Sequence, residues 1–150
     1  MTSNISSSGA VHARERVAWA RLPLAALLAA AVAAVACDLL FLLESALGVI
    51  DHSVSLPSVV GMGPVSITSV TASAVAGSVG AAIAFALVGA IGRRPILVFW
   101  IVSAVALVLS LAMPATVPGP STAMRLGLAL MQVMTWAVNV AILTTVGRRP

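Results

Sequence analysis

Arg125, Gln132 and Asn139 stand at seven-residue steps within a closing stretch of the chain that is otherwise mostly apolar. Residues i and i+7 share one face of an α-helix, so the three form a polar stripe, with Thr135 beside it. Two chemistries suit such a stripe. One is hydrogen bonding between helices, worth about 0.6 kcal/mol per contact in a membrane. The other is a polar path for a proton, an ion or a small solute, which normally needs more ionisable groups along it than this chain supplies. The stripe therefore reads first as structural.

A second polar group stands out in "AVACDLLFLLE", residues 34–44, where Asp38 interrupts a run that is otherwise apolar over residues 22–43. An unpaired Asp at the centre of a membrane helix costs about 2.5 to 3.5 kcal/mol. Asp38 is five residues before the end of its run, hence about 8 Å below that end at 1.5 Å per residue. Arg125 opens the last apolar segment from the same side, and its side chain can reach inward. The two are expected to form a buried or half-buried ion pair near the outer face, mainly fixing which helices pack together. A protonated or hydrated Asp38 in an outer crevice is the alternative. Glu44 is a rival partner for Arg125, but is expected at the interface, where water solvates it.

Asp38, Arg125, Gln132 and Asn139 are thus the candidate site residues, and none is assigned to catalysis, a cofactor or a metal. HExxH, CxxC, P-loop and GxSxG patterns are absent, and no His is paired with Cys or Ser at a catalytic spacing. His12 and His52 fall in polar segments and read as solvated surface residues. Glu15 belongs to a basic segment, while Glu44 and Asp51 flank a loop. Cys37 is the only cysteine, which excludes an intramolecular disulfide and a thiolate metal site. It reads as a small packing residue. The expectation is a protein without enzymatic activity or cofactor.

The elements that must position these residues follow from composition. With 61% hydrophobic and 8% charged residues and a mean hydropathy of +1.14, the chain lies far from the soluble norm of about 25% charged. A hydrocarbon core about 30 Å thick needs roughly 20 apolar residues per helix. Residues 22–43, 70–91, 96–113 and 126–146 meet or approach that length. The fold class is therefore an all-α membrane protein, a bundle of four transmembrane helices occupying residues 17–150. Residues 1–16 are Ser-rich, polar and aperiodic at their start, and read as a disordered cytoplasmic tail.

The net charge of +4 and pI near 11.5 would suggest nucleic acid for a soluble protein, but here the basic residues report orientation. All eight are Arg. Arg14, Arg16, Arg21, Arg93, Arg94, Arg148 and Arg149 fall on one side of the four spans, and Arg125 alone falls on the other. The positive-inside rule then places both termini in the cytoplasm of a bacterial cell, with the protein multi-pass in the plasma membrane. Arginines at the inner surface can attract anionic lipid at about 1 kcal/mol each. The partners expected are the bilayer, a second copy or another membrane protein, and no nucleic acid.

A basic segment before an apolar run also begins a secretory signal, and "AAVAC" before Asp38 resembles a loose lipobox at Cys37. The apolar run continues through "LLFLL", where a lipoprotein has a polar tether, so an uncleaved helix is the favoured reading. Residues 44–69, the largest outer segment, mix Gly, Pro and Ser with β-branched residues and favour extended structure or a short β-hairpin. This segment reads as a connecting cap, and is also the best site for an external contact. "GMGP" at 61–64 lacks the spacing of a nucleotide fingerprint.

The second span carries small residues at four-residue steps, Ser69, Ser73, Gly77 and Ala81, with Gly80 and Ala84 on a neighbouring face. Such residues let membrane helices approach closely, either within the bundle or in a homodimer. "GRRP" occurs at 92–95 and 147–150, as the trace of a duplicated hairpin or by convergence on a helix end and an inner surface. Convergence accounts better for the lack of similarity elsewhere.

The basic N-terminus before an Ala-rich helix, the segment "GVIDHSVSLPS" leading into "ASAVAGSVGAAIAFAL", and the closing "LALMQVMTWAVNVAIL" before terminal Arg together carry a resemblance. Over residues 17–149 the chain resembles small four-helix membrane proteins of unknown function from high-GC, actinobacteria-like genomes. The resemblance implies no activity and no site residue. Two function classes stay open: a structural or accessory membrane component acting through helix packing, and a small transporter or channel subunit using the polar stripe of the fourth helix.

Overall fold

A computed structural model describes residues 17–91 and 94–147. The expected tail over 1–16, half of the first GRRP segment and most of the second lie outside the described residues. The chain is mostly helical, with a short turn of 3-10 helix at Trp19–Arg21 followed by α1 (Leu22–Ala46), α2 (Ile67–Ile91), α3 (Pro95–Thr116) and α4 (Thr122–Val146). Each of the four is long and apolar enough to cross a membrane. The protein is accordingly a multi-pass membrane protein.

The helices overrun the apolar windows because capping chemistry, not hydropathy, sets their ends. α1 continues past Leu43 through Glu44 and Ser45, then stops where Gly48 takes φ +70°. There the Gly48 amide donates to Ser45 O and the Val49 amide to Glu44 O, satisfying carbonyls that the last helical turn leaves free. Before α2, the Ser69 amide donates to Ser66 Oγ and the Ser66 amide to Ser69 Oγ, a reciprocal cap with Ser where Glu is more usual. α3 opens on Pro95, and α4 opens with the Met124 amide bonded to the Ser121 hydroxyl.

Between α1 and α2 the chain forms the short hairpin expected there, β1 (Ser55–Ser58) paired antiparallel with β2 (Gly61–Pro64). Ser58 is opposite Gly61 and only Val59 and Val60 connect them. Two-residue hairpin turns favour positive φ, which β-branched valines resist. The valines keep negative φ, and Gly61, at φ +116°, supplies the unusual torsion one residue later. Leu56 of β1 is buried in one apolar cluster with Ile50, Val65 and Met124, so the hairpin is seated on one end of the helices.

α1 packs on both α2 and α4, while α3 leans more loosely against α4 and α2. Ala25, Ala29 and Ala33 are fully buried at four-residue steps on α1, followed on the same face by Cys37 and Phe41. Alanine there lets the neighbouring backbones approach, which matters in lipid because apolar burial alone drives no association. At the end opposite the hairpin, Phe85 and Phe99 meet edge to face at 4.9 Å, and the Ala18 amide donates to Gly147 O. The leucines of α1, Leu24, Leu27, Leu39 and Leu42, face outward. An outward apolar surface is what a lipid environment demands.

Candidate functional site: a cleft between α2, α3 and α4

The three stripe residues of α4 do not act together. Arg125, in the first turn of α4, turns back onto the end of α3. Its guanidinium donates to the carbonyls of Pro114 at 3.0 Å, Val117 at 2.9 Å and Ala115, and its Nε to Pro120 at 3.1 Å. Pro114 and Ala115 are in the last turn of α3, where carbonyls have no helical partner and a cation is favoured. Arg125 is thus a clamp on the α3 terminus.

The expected Asp38–Arg125 pair is replaced by separate partners. Asp38 is half-buried and faces α2, where the Thr71 hydroxyl is 2.9 Å from both carboxylate oxygens and 2.8 Å from Ile67 O. One hydroxyl proton serves one of these acceptors at a time. Asp38 and Arg125 are not at one depth either: Cys37, next to Asp38, meets Met131 and Thr135 of α4, six and ten residues beyond Arg125, while Glu44 is the α1 residue level with Gly127. Asp38 is therefore roughly 10 Å deeper along α4 than Arg125, whose guanidinium is already committed to four carbonyls.

Glu44 is a second correction. Instead of being water-exposed, it is 5% exposed and lies against Gly127 of α4, with Oε2 lacking any hydrogen-bond partner. A side chain on residue 127 would begin 2.5 Å from Oε2, so this burial depends on glycine. The last turn of α1 carries Glu44 inward because the helix continues past the apolar window. Asp51, in contrast, stays in the exposed loop. Its carboxylate accepts from the Ser53 hydroxyl at 2.6 Å and the Ser53 amide at 2.9 Å, which hold its pKa below the ordinary Asp value. His52 is exposed as expected, with Nδ1 3.2 Å from Val65 O. Among the described residues, no three His, Cys, Asp or Glu side chains converge as a metal site would require.

Gln132, Thr135 and Asn139 do come together, on one wall of a cleft of about 500 Å³ bounded by α2, α3 and α4 and reached at one end by the hairpin. Ser110 of α3 donates to Gln132 Oε1 at 2.9 Å, tying the walls. Thr135 donates to Met131 O and meets Cys37 Sγ at 3.1 Å, joining α4 to α1, and both residues line the cleft. Asn139, only 3% exposed, donates from Nδ2 to Thr135 O at 2.8 Å, and its Oδ1 has no partner. Trp136 packs edge to face on Trp100 at 5.6 Å, and its Nε1 is also buried without a partner.

The opposite wall is the small-residue surface of α2. Ser69, Ser73, Gly77, Gly80, Ala81 and Ala84 all line the cleft. At Gly77 an added side chain would meet the Thr135 methyl at 3.6 Å, whereas at Gly80 it would meet nothing within 4 Å. The small and polar stripes, independent in the sequence, therefore face each other across one space. None of its lining residues is charged. Trp136, Ser103 and Ser110 were not singled out from sequence. The signal for the serines was available, since Ser103 and Ser110 are also seven residues apart and share one face of α3.

Residues 17–149 match the model of a family of unknown function, DUF6069, and the chain belongs to that family. No curated protein and no solved structure matches it.

Proposed function

We propose that this family member is a non-enzymatic accessory protein of the plasma membrane, whose working surface is the cleft, receiving a slender apolar chain from the bilayer. The observation that supports this reading is the α2 wall. A helix that carries small residues on one face normally spends them on close helix packing, yet here Gly80 has open space before it. A second copy or a partner helix laid against the same wall is the rival occupant. The arginine distribution supports a membrane orientation with both ends of the chain cytoplasmic, and the use of Arg without Lys fits a high-GC bacterial source.

Replacing Val102 of the α3 wall with a photoreactive residue, in native membranes, tests the reading. Adducts of lipid mass are expected, and adducts confined to protein would overturn it in favour of helix packing. A transporter or channel subunit is the second reading, favoured by Gln132, Thr135 and Asn139 sharing the cleft. Solute flux into proteoliposomes that Gln132→Leu or Asn139→Leu abolishes would establish it instead.

A further inference from the structure

The hairpin between α1 and α2 turns apolar side chains away from the helices. Directly opposed residues of an antiparallel pair share one face, and successive pairs alternate between faces. Leu56, opposite Gly63, is buried, so the next pair, Pro57 opposite Met62, belongs to the outer face. An antiparallel sheet with one face in water is polar on that face. Here Met62 is 72% exposed, and the adjoining turn adds Val59 at 60% and Val60 at 62%. No residue from 53 to 69 is charged, although charged side chains are a common guard of an exposed strand edge.

We propose that the tip of this hairpin, Val59, Val60 and Met62, docks into the lipid of its own membrane, in the leaflet on the hairpin's side. This holds whether or not the cleft receives a chain. Depth supports it. The four helices have 22 to 25 residues, about 33 to 38 Å at 1.5 Å per residue. That exceeds a hydrocarbon core of about 30 Å but not the roughly 40 to 45 Å of the whole bilayer, so the helix ends lie among the headgroups. Leu56 shares an apolar cluster with Met124, the third residue of α4. Ser58, next to the turn, lines the cleft together with Ser69, the third residue of α2, and Met113, three residues before the end of α3. The hairpin is therefore held beside the helix ends and does not rise clear of them. Its tip is at the level where an apolar side chain leaves water by entering lipid. A protein partner is a poorer occupant, because interface anchors are mostly Trp, Tyr and Arg, with Val under-represented. A ladder with the hairpin of a second copy is hindered too, since each strand contains a proline, Pro57 or Pro64, that cannot donate.

The test uses the full chain with Cys37→Ala in phosphatidylcholine vesicles, carrying one new cysteine at a time. Val60→Cys and Met62→Cys report on the tip, Ser53→Cys on the exposed loop, and Leu39→Cys, outward on α1, on lipid. Each replaces an exposed side chain, so folding is expected to be preserved. With a charged maleimide on both sides of the membrane, the tip cysteines should react about tenfold more slowly than Ser53→Cys, because a charged reagent stays in water. Nitroxide labels at 60 and 62 should be more accessible to dissolved oxygen than to a nickel chelate, as at position 39 and the reverse of position 53. Tip cysteines that react as fast as Ser53→Cys would place the tip in water and overturn the proposal. Slow reaction combined with poor access for both oxygen and the chelate would overturn it in favour of a protein partner or a second copy.

Discussion

Glu44 of α1 and Gly127 of α4 are in direct contact, with the carboxylate occupying the space where a side chain at 127 would stand. Glu44 Oε2 is buried without a hydrogen bond, so the contact is held by packing and not by charge. Gly127→Ala would force the carboxylate, the far end of a flexible side chain, to move, and the cost is expected at the low end of overpacking, about 1 kcal/mol. A lowered melting temperature in detergent is the expected outcome. Combining Gly127→Ala with Glu44→Ala should restore most of the loss, because the smaller side chain vacates the space. Losses that simply add would show that the two residues are not coupled.

Arg125 is the clamp on the end of α3, and its replacement should loosen that end without touching Asp38. Hydrogen bonds from a charged donor contribute about 1.5 to 3 kcal/mol each when buried; Arg125 is only partly buried, so Arg125→Gln is expected to cost about 2 kcal/mol in total. Arg125→Lys should recover only part of this, since an ammonium cannot reproduce the fork that spans four carbonyls. The charge-reversal pair Asp38→Arg with Arg125→Asp should show no mutual rescue in folded yield. Rescue would restore the direct ion pair.

The exposed turn at Asp51 should respond to acid in a defined direction. Bonds from Ser53 favour the ionised carboxylate and depress its pKa. A carboxylate with a depressed folded pKa contributes stability above its unfolded pKa and loses it as pH falls through the folded value. The Asp51 carboxyl resonance is therefore expected to titrate below the ordinary value of about 3.9. Ser53→Ala, which removes the hydroxyl but keeps the amide, should move the midpoint part of the way back. An unchanged midpoint would exclude the hydroxyl as a cause.

Four helices long and apolar enough to cross a membrane were legible from the sequence because each had to be a long run of apolar residues, a requirement imposed by the bilayer on the chain locally. The hairpin was legible for a related reason, since Pro and β-branched residues restrict their own backbones to extended structure and Gly admits the positive φ that a turn needs. Cap positions were less so: apolar windows end at Leu43, while α1 runs to Ala46 through Glu44, and that extra turn is what buries Glu44. The angular arrangement of helices was not written in any one segment. Every helix is apolar nearly all round, so hydropathy does not mark which face meets which neighbour. Counting 1.5 Å per residue from the window ends puts Asp38 and Arg125 level, but Cys37, next to Asp38, meets Thr135, ten residues beyond Arg125 on α4. The packing of α1 on its neighbours gave Asp38 to Thr71, and Arg125 went to the α3 carbonyls. The packing of α2 set its small residues opposite Gln132 and Asn139. That pairing depends on contacts between residues more than fifty positions apart, which only the tertiary structure decides.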